Sequence, residues 1–363
     1  MKLTVLHAEH VALKAKMALF GGFDMPIQYE GGILKEHHAC RTGVAIFDTC
    51  HMGEFLISGP TALADLENLL SCDLGDLAIG KCRYGLLCNI KGGVVDDQIL
   101  YRLGEQDYMM VVNAGTQDFD FHWVRNHLSA TTKIENVSDQ TAKLDIQGPL
   151  AIKLCQKLFD QPLTPMVFYS FGYNVFQGTK VLVSRTGYTG EPGIEVYCPA
   201  ELGVAIWRKA IELGAVPAGL GARDTLRLEV AYPLYGHEMN EETPAAASGF
   251  TKSISTTKRF VGCDAVRVPP TIKLVGLELA DRRAARNGMD VLNEAGAKVG
   301  IIASGSFCPT IEKSVAFAYI KAEAATPGTK LQVATGRTNL PATIVPTPFY
   351  TGAKGRAKWE TIA

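Results

Sequence analysis

Three short segments of the 363-residue chain carry side chains whose types and spacing could do chemistry. The first is GGVVDDQ, Gly92 to Gln98. Two glycines make a tight turn, and two acids follow the apolar pair Val94 and Val95. In an alternating strand Asp96 and Asp97 point to opposite faces. One of them then faces inward or into a cleft, where a carboxylate is costly unless it is paired or used. The other reading is a turn whose aspartates bond neighbouring backbone amides. The second segment is SRTGYTGEPGIEVY, Ser184 to Tyr197. Gly187, Gly190 and Gly193 permit turns that bring Tyr188 and Glu195 beside a bound ring. A carboxylate accepting two N–H bonds matches a planar amidine-like edge, as in guanine or a pterin. Taken alone, the segment reads as a hairpin with a solvent-facing Glu195. The third segment is GLGARDTLRLE, Gly219 to Glu229. Arg223 and Arg227 are four apart and share a helical face. A guanidinium fork there could hold a carboxylate or a ring oxygen. An ion pair of Asp224 with Arg227 is the alternative.

Other chemistries lack their residues. There is no G-x-x-x-x-G-K-[ST] and no G-x-G-x-x-G after a strand. HEMN at His237 is not H-E-x-x-H, and adjacent His37 and His38 cannot share a helical face, so no metal site is expected. The nine cysteines are odd in number and contain no C-x-x-C pair. That speaks against a disulfide scaffold or structural zinc. Lys plus Arg is 36 against 37 for Asp plus Glu, giving a net charge of -1. A nucleic-acid partner would need clustered excess cation. No apolar run reaches the roughly 18 residues of a membrane span. The amino-terminal segment has no uninterrupted apolar core and no small-residue cleavage site. The expectation is a cytoplasmic protein with no membrane partner.

These residues need elements to position them. The FGGFDMPIQYEGG stretch reads as a Gly/Pro-rich loop, and Gly32 to Gly43 as a helix. HMGEFLISGP reads as a strand and turn, and Thr61 to Leu70 as a short helix with Thr61 as N-cap. YGLLCNI, KGG and VVDDQILYR read as strand, turn and strand, with MMVVNA as a further strand. Asp118 to Leu128 is a helix, and KLDIQGP another strand. GYNVFQGTKVLVSRTGYTGEPGIEVYCP gives strands around glycine turns. GVAIWRKAIELG gives an amphipathic helix, and GARDTLRLEVAYPLY a helix ended by Pro233. The two halves roughly mirror each other, which allows an internal duplication. VPPTIKL near residue 270 reads as a linker. Short alternating strands follow, which predict a small β-barrel or sandwich. Ala353 to Lys358 reads as a mobile basic tail.

Together the three clusters resemble the glycine cleavage system T-protein family, the aminomethyltransferases. The resemblance runs in family order from FGGFDMPIQYEGGILKEHHACRTGVAIFDTCHMGEF through GKCRYGLLCNIKGGVVDDQILYR and YMMVVNAG. It continues through LDIQGP, SRTGYTGEPGIEVY, GLGARDTLRLEVAYPLYGHEMNEETPAAASGF, FVGCDAV, KVGIIASGSFCPT and LPATIVPTPFY. It implies an α+β fold: a folate-binding region of ferredoxin-like units over residues 1–268, as two interleaved subdomains. A C-terminal β-barrel over 273–352 and a tail over 353–363 would follow. It implies transfer of an aminomethyl group, carried on the lipoyl arm of a lipoylated H-protein, to tetrahydrofolate. Ammonia is released and 5,10-methylenetetrahydrofolate forms. Asp97 matches the family's essential aspartate, with Asp96 as an outward-facing neighbour. Glu195 matches the pterin-edge glutamate, Tyr188 a ring contact and Arg223 the folate-contacting arginine. Arg227 reads as structural. Tyr84, Met52 and Asn113 match positions lining the folate channel.

Some residues depart from the family pattern. Phe23 stands where a tryptophan is usual, GFTKSIS replaces an aromatic-containing segment, and Cys308 replaces a small hydroxyl residue. Two alternatives stand beside the aminomethyl reaction. One is a related folate-dependent methyltransferase or demethylase, which need not keep Asp97. The other is a non-catalytic folate-binding protein of RNA modification or iron–sulfur assembly. In that group a Lys-Gly-Cys-Tyr signature superficially matches GKCRYG, which here lies just before the aspartate turn.

Overall fold

The computed structural model describes residues 1–336 and 338–362. Helix α1 (His7–Ala12) leads into a hairpin of β1 (Lys16–Phe20) and β2 (Phe23–Gln28). The stretch expected as a loop is thus paired backbone. Phe20 faces Phe23 across a two-residue turn, Gly21-Gly22, and both glycines have positive φ. That is the turn whose twist suits a tight hairpin. Helix α2 (Gly32–Thr42) and strand β3 (Ala45–Asp48) follow.

The next elements are β4 (Gly53–Ser58), α3 (Ala62–Leu69), β5 (Cys82–Cys88), β6 (Val94–Arg102), β7 (Asp107–Val112), α4 (Gln117–His127) and β8 (Lys133–Asn136). Thr61 occupies the N-cap of α3, but its hydroxyl bonds Ser129, Thr131 and Thr132 and caps no backbone amide. Then come β9 (Thr141–Gln147), α5 (Ala151–Cys155), β10 (Phe171–Phe176), β11 (Thr179–Ser184), β12 (Gly193–Pro199), α6 (Gly203–Glu212) and β13 (Val216–Ala218). The first sheet runs β5-β6-β7-β4-β8 and the second β10-β11-β12-β9-β3-β13. With β3 set aside, both follow the same order of second, third, fourth, first and fifth strand. The suspected mirror of the two halves is therefore present in the topology, and the two units interleave through β3.

Each sheet buries one face under helices. Phe55, Leu66, Leu100 and Val124 pack between the first sheet and α3 and α4. Leu144, Ile194, Ile206 and Trp207 do the same for the second sheet and α6. The opposite faces meet through Tyr101, Val111, Leu182 and Tyr197. The Tyr101 and Tyr197 hydroxyls lie 3.0 Å apart.

Helix α7 (Leu220–Glu229) ends four residues before Pro233. The chain turns at Ala231, whose φ is +60°, so backbone reversal rather than proline ends the helix. Helix α8 (Cys263–Val266) precedes β14 (Ile272–Leu279), β15 (Asp290–Leu292), β16 (Lys298–Cys308), β17 (Lys313–Lys321), β18 (Lys330–Ala334) and β19 (Asn339–Val345). These six strands close as β14-β17-β16-β15-β18-β19. Leu277, Val291, Ala318, Val333 and Ile344 fill the interior, as alternating inward positions of a small barrel do. The fold is thus the expected α+β region followed by a barrel, and β15 is the strand the sequence pattern missed.

The end of the chain is not a free tail. The Gly355 amide donates to the Gly190 carbonyl at 2.7 Å. Arg185 holds the Ala357 carbonyl, and Trp359 is buried with the second sheet's core. Among the described residues, no helix is long and apolar enough to cross a membrane.

Candidate active site

A cavity of about 1860 Å³ opens between the two sheets, α7 and the barrel side of the molecule. Tyr84, Asp97 and Asn113 line it from the first sheet, Lys143 and Glu195 from the second, and Arg223 from α7.

Asp97 reaches the cavity because β6 is irregular. Leu86 pairs with Asp97 and Leu87 with Asp96, but Cys88 pairs with Val94. Val95 is the extra residue, a β-bulge that re-aims the strand. Asp97 then faces the cavity, with Ile99 and Tyr101 on the same side. The Tyr84 hydroxyl donates to Asp97 Oδ2 at 3.0 Å, and Asn113 Nδ2 donates to Asp97 Oδ1 at 2.9 Å. Burial pushes the Asp97 pKa up to about 7, and the neighbouring Asp96 adds to the rise. A carboxyl so placed can take or give a proton near neutrality.

Asp96 does not face outward, as the sequence reading had it. It is 0% exposed, because α4 covers the sheet face it points to. Its Oδ1 accepts from Asn113 Nδ2 at 2.8 Å and its Oδ2 from the Asn113 amide at 3.0 Å.

The second sheet supplies a charged wall. Glu195 Oε1 sits 2.5 Å from Lys143 Nζ, and the Thr186 hydroxyl donates to Glu195 Oε2. Burial alone would raise the Glu195 pKa, but Lys143 and Thr186 hold it below the usual carboxylate range. Glu195 is therefore an ionised acceptor inside the molecule. It lies across from Asp145, which Arg223 Nη1 contacts at 2.6 Å. The Arg223 guanidinium also stacks over the Tyr188 ring at 4.7 Å. The Tyr188 hydroxyl donates to the Pro233 carbonyl. With its hydroxyl so engaged, Tyr188 offers the cavity its ring. Met52 closes this side, with Sδ 3.4 Å from Lys143 Nζ.

Residues 6–258 match the family described as the GCVT N-terminal domain. Residues 273–351 match the glycine cleavage T-protein C-terminal barrel domain. The chain belongs to the glycine cleavage T-protein family. A protein named aminomethyltransferase from Desulforamulus reducens is 41% identical over 359 residues, covering 96% of this chain and 98% of that relative. The aminomethyltransferase of Geobacillus kaustophilus is 40% identical, covering 98% of this chain and all of that one. The crystal structure of glycine cleavage system aminomethyltransferase T from Bartonella henselae superposes with a TM-score of 0.91 at 28% identity, over 99% of both chains.

All seven T-protein positions singled out in the sequence, Asp97, Glu195, Arg223, Tyr188, Tyr84, Asn113 and Met52, line this one cavity. Arg227 also borders the cavity, but its guanidinium is taken up by ion pairs within the fold. It is 1% exposed and bonded to Asp224 at 2.9 Å and Glu238 at 2.8 Å. That Asp224–Arg227 contact is the ion pair held open as an alternative in the sequence. Of the departures, Phe23 packs its ring against His51.

Sequence reasoning missed Lys143, Asp145 and His51. A signal for the first two was present. KLDIQ alternates Lys143, Asp145 and Gln147 with Leu144 and Ile146, and all three polar residues are buried. A polar face of a strand reads as solvent-facing unless a cavity takes the place of solvent. His51 gives no such signal. Burial pushes its pKa down to about 4, so it is a neutral ring beside Phe20 at the cavity wall.

Proposed function

We propose that this chain transfers an aminomethyl group from a lipoyl-bound carrier, the lipoylated H-protein, to tetrahydrofolate, with Asp97 as the acting carboxylate. The observation that carries the reading is Asp97 itself. It is a cavity carboxylate with a pKa near 7, fixed by Tyr84 and Asn113, in a chain of the T-protein family. The cavity volume is larger than the roughly 300–1,000 Å³ of a single small-ligand site. It has room for a folate and for the tip of a lipoyl arm together.

The residues fit a pterin. Glu195, kept ionised by Lys143, is an acceptor for two ring N–H groups. The Tyr188 face and the Arg223 guanidinium offer stacking and a cation for a ring oxygen. In the reaction, one folate nitrogen attacks the one-carbon unit as ammonia leaves, and attack by the second folate nitrogen then closes the ring, breaks the C–S bond and frees the lipoyl thiol with the proton that nitrogen loses. Positive charge grows on the carbon as the C–N bond breaks. Asp97 stabilises that charge and accepts the proton that the attacking nitrogen loses. Tyr84 and Asn113 hold the carboxylate in place so that no reorganisation is needed.

The test is turnover of wild type and Asp97→Asn with aminomethyl-lipoyl H-protein and tetrahydrofolate, following ammonia and methylenetetrahydrofolate. The expected result is a loss of at least about 100-fold in the variant with folate binding retained. A wild type that binds folate but releases no ammonia would overturn the reaction and direct attention to methyl donors.

A further inference from the structure

Behind Asp97 lies a carboxylate with no assigned work. Asp120, on the first turn of α4, is 0% exposed, and neither of its oxygens has a hydrogen-bond donor among the described residues. Its carboxyl faces that of Asp96. The other groups acting on it are Thr116 at the start of α4, Asp97 on β6, and Glu241 in the segment after α7. Tyr235, from that same segment, lies near these acids, and its hydroxyl donates to the Val94 carbonyl at 3.2 Å. The Thr116 hydroxyl itself points to the Asn113 carbonyl at 3.3 Å.

Two ionised carboxylates facing each other in a dry interior cannot both persist, and one proton between them relieves the repulsion. One of the orphaned Asp120 oxygens then has the partner it lacks, an O–H shared with Asp96. Asn113 ties this pair to the cavity. Its one amide nitrogen donates to Asp96 at 2.8 Å and to Asp97 at 2.9 Å.

We propose that Asp96 and Asp120 hold one proton between them, and that this acid pair, acting through the Asn113 amide, is the positioning element for the Asp97 carboxylate. The pair keeps one negative charge. That charge orients Asn113 with one N–H toward Asp96 and the other toward Asp97, and it keeps Asp97 a stronger base than an isolated carboxylate. Burial together with the opposing acid pushes the pKa of Asp96 well up, and burial pushes that of Asp120 up to about 7. The inference rests on the reading of Asp97 as the acting group.

Two variants separate the pair from mere packing. In Asp120→Asn the new amide donates to an ionised Asp96, so the single charge survives. In Asp120→Leu the isolated Asp96 takes up a proton itself, and the charge beside Asp97 is lost. Infrared spectra at pH 8 read the proton directly. Any protonated-carboxyl band from buried Glu54, whose pKa is also raised, is common to all variants. The difference between wild type and Asp120→Asn should show one further carboxyl band lost. Asp120→Leu and Asp97→Asn should keep it. The pH dependence of turnover gives a second readout. The acid limb should stay in place in Asp120→Asn and move down by about one pH unit in Asp120→Leu.

No band lost on Asp120→Asn overturns the shared proton. Equal acid limbs in the two Asp120 variants overturn the positioning role. Undiminished turnover in Asp97→Asn, with the band behaving as expected, would instead overturn the reading of Asp97 and leave the pair standing. Should Asp120→Leu fail to fold, the spectrum and profile of Asp120→Asn decide the matter: a retained band or a displaced limb overturns the proposal.

Discussion

Asp97 works against the stability of the fold that carries it. Its folded pKa, about 7, lies above the ordinary carboxylate value, so the folded state binds more protons than the unfolded chain between those two pH values. Stability therefore falls as pH rises through that window and is lowest above it. Asp97→Asn removes the titration. The variant should melt higher than wild type at pH 8, by an amount on the order of 1–3 kcal/mol, and equally at pH 3. Melting curves at the two pH values check this, and a variant destabilised at pH 8 would sink it. Glu195 behaves in the opposite sense, since Lys143 holds its pKa low. Lys143→Met leaves a buried carboxylate without its cation. Folate affinity should then fall by about 10- to 100-fold at pH 8 and recover little at lower pH, because a protonated Glu195 loses one acceptor. Titration calorimetry reads it directly. At this scale the sequence disclosed the acids but not their surroundings. Asp97 and Glu195 stand out in GGVVDDQ and GIEVY. Whether Asp96 is buried depends on α4, which begins only at Gln117 and gives no local sign of covering that face.

The element that delivers Asp97 is the β5–β6 hairpin, and its turn is fixed from within by Asn89 and from outside by the segment after α7. Asn89 Oδ1 accepts from the Lys91 amide at 2.9 Å and the Gly93 amide at 3.1 Å, and Gly92 has a φ of +83°. Gly93 is needed for a different reason. A Cβ there would sit 1.7 Å from the Glu241 carbonyl oxygen, because Gly93 bridges to Pro244 in the segment after α7. Gly93→Ala must push that segment away from the hairpin. We expect a loss of about 1–3 kcal/mol and a fall in turnover, measured by urea unfolding and the ammonia assay. Wild-type values in both would show that the 240–244 segment gives way freely. The hairpin was readable because Gly-Gly turns and period-2 patterning are local. The bulge at Val95 was not, since only the pairing with Cys88 creates it. The Gly21-Gly22 hairpin was misread for a similar reason: the same glycine pair marks a loop or a tight turn, and pairing of Phe20 with Phe23 decides which.

At the scale of the whole molecule, the barrel must stay seated on the sheets for the cavity to have a wall. Its strands were readable from alternation, but the seat was not, because it joins residues from four distant stretches. Leu228, Ala247, Ala303, Phe317 and Tyr319 form its apolar part. Its polar centre is Glu229 at the end of α7. Glu229 Oε2 lies 2.8 Å from Arg41 Nη2 and 3.4 Å from His37 Nε2, and Oε1 accepts from the Thr310 amide of the barrel at 2.8 Å. Arg41 also meets Glu191 at 2.9 Å and stacks on Tyr350 at 4.8 Å. Burial would raise the Glu229 pKa, yet His37 and Arg41 hold it low. A lowered folded pKa gives stability that is present above the unfolded value and lost as pH falls through the folded one. Breaking such a buried pair from one side costs about 3–5 kcal/mol, because the partner charge stays buried. Glu229→Gln keeps the size and the acceptor for Thr310 but removes the charge. At pH 7 it should unseat the barrel, seen as faster proteolysis at the exposed connector around Val268 and a lower urea midpoint. The gap between wild type and variant should close as pH falls past the ordinary glutamate value and through the lowered folded one, where wild type loses the same charge. A gap that persists unchanged in acid would mean that packing, not the Glu229 charge, holds the barrel in place.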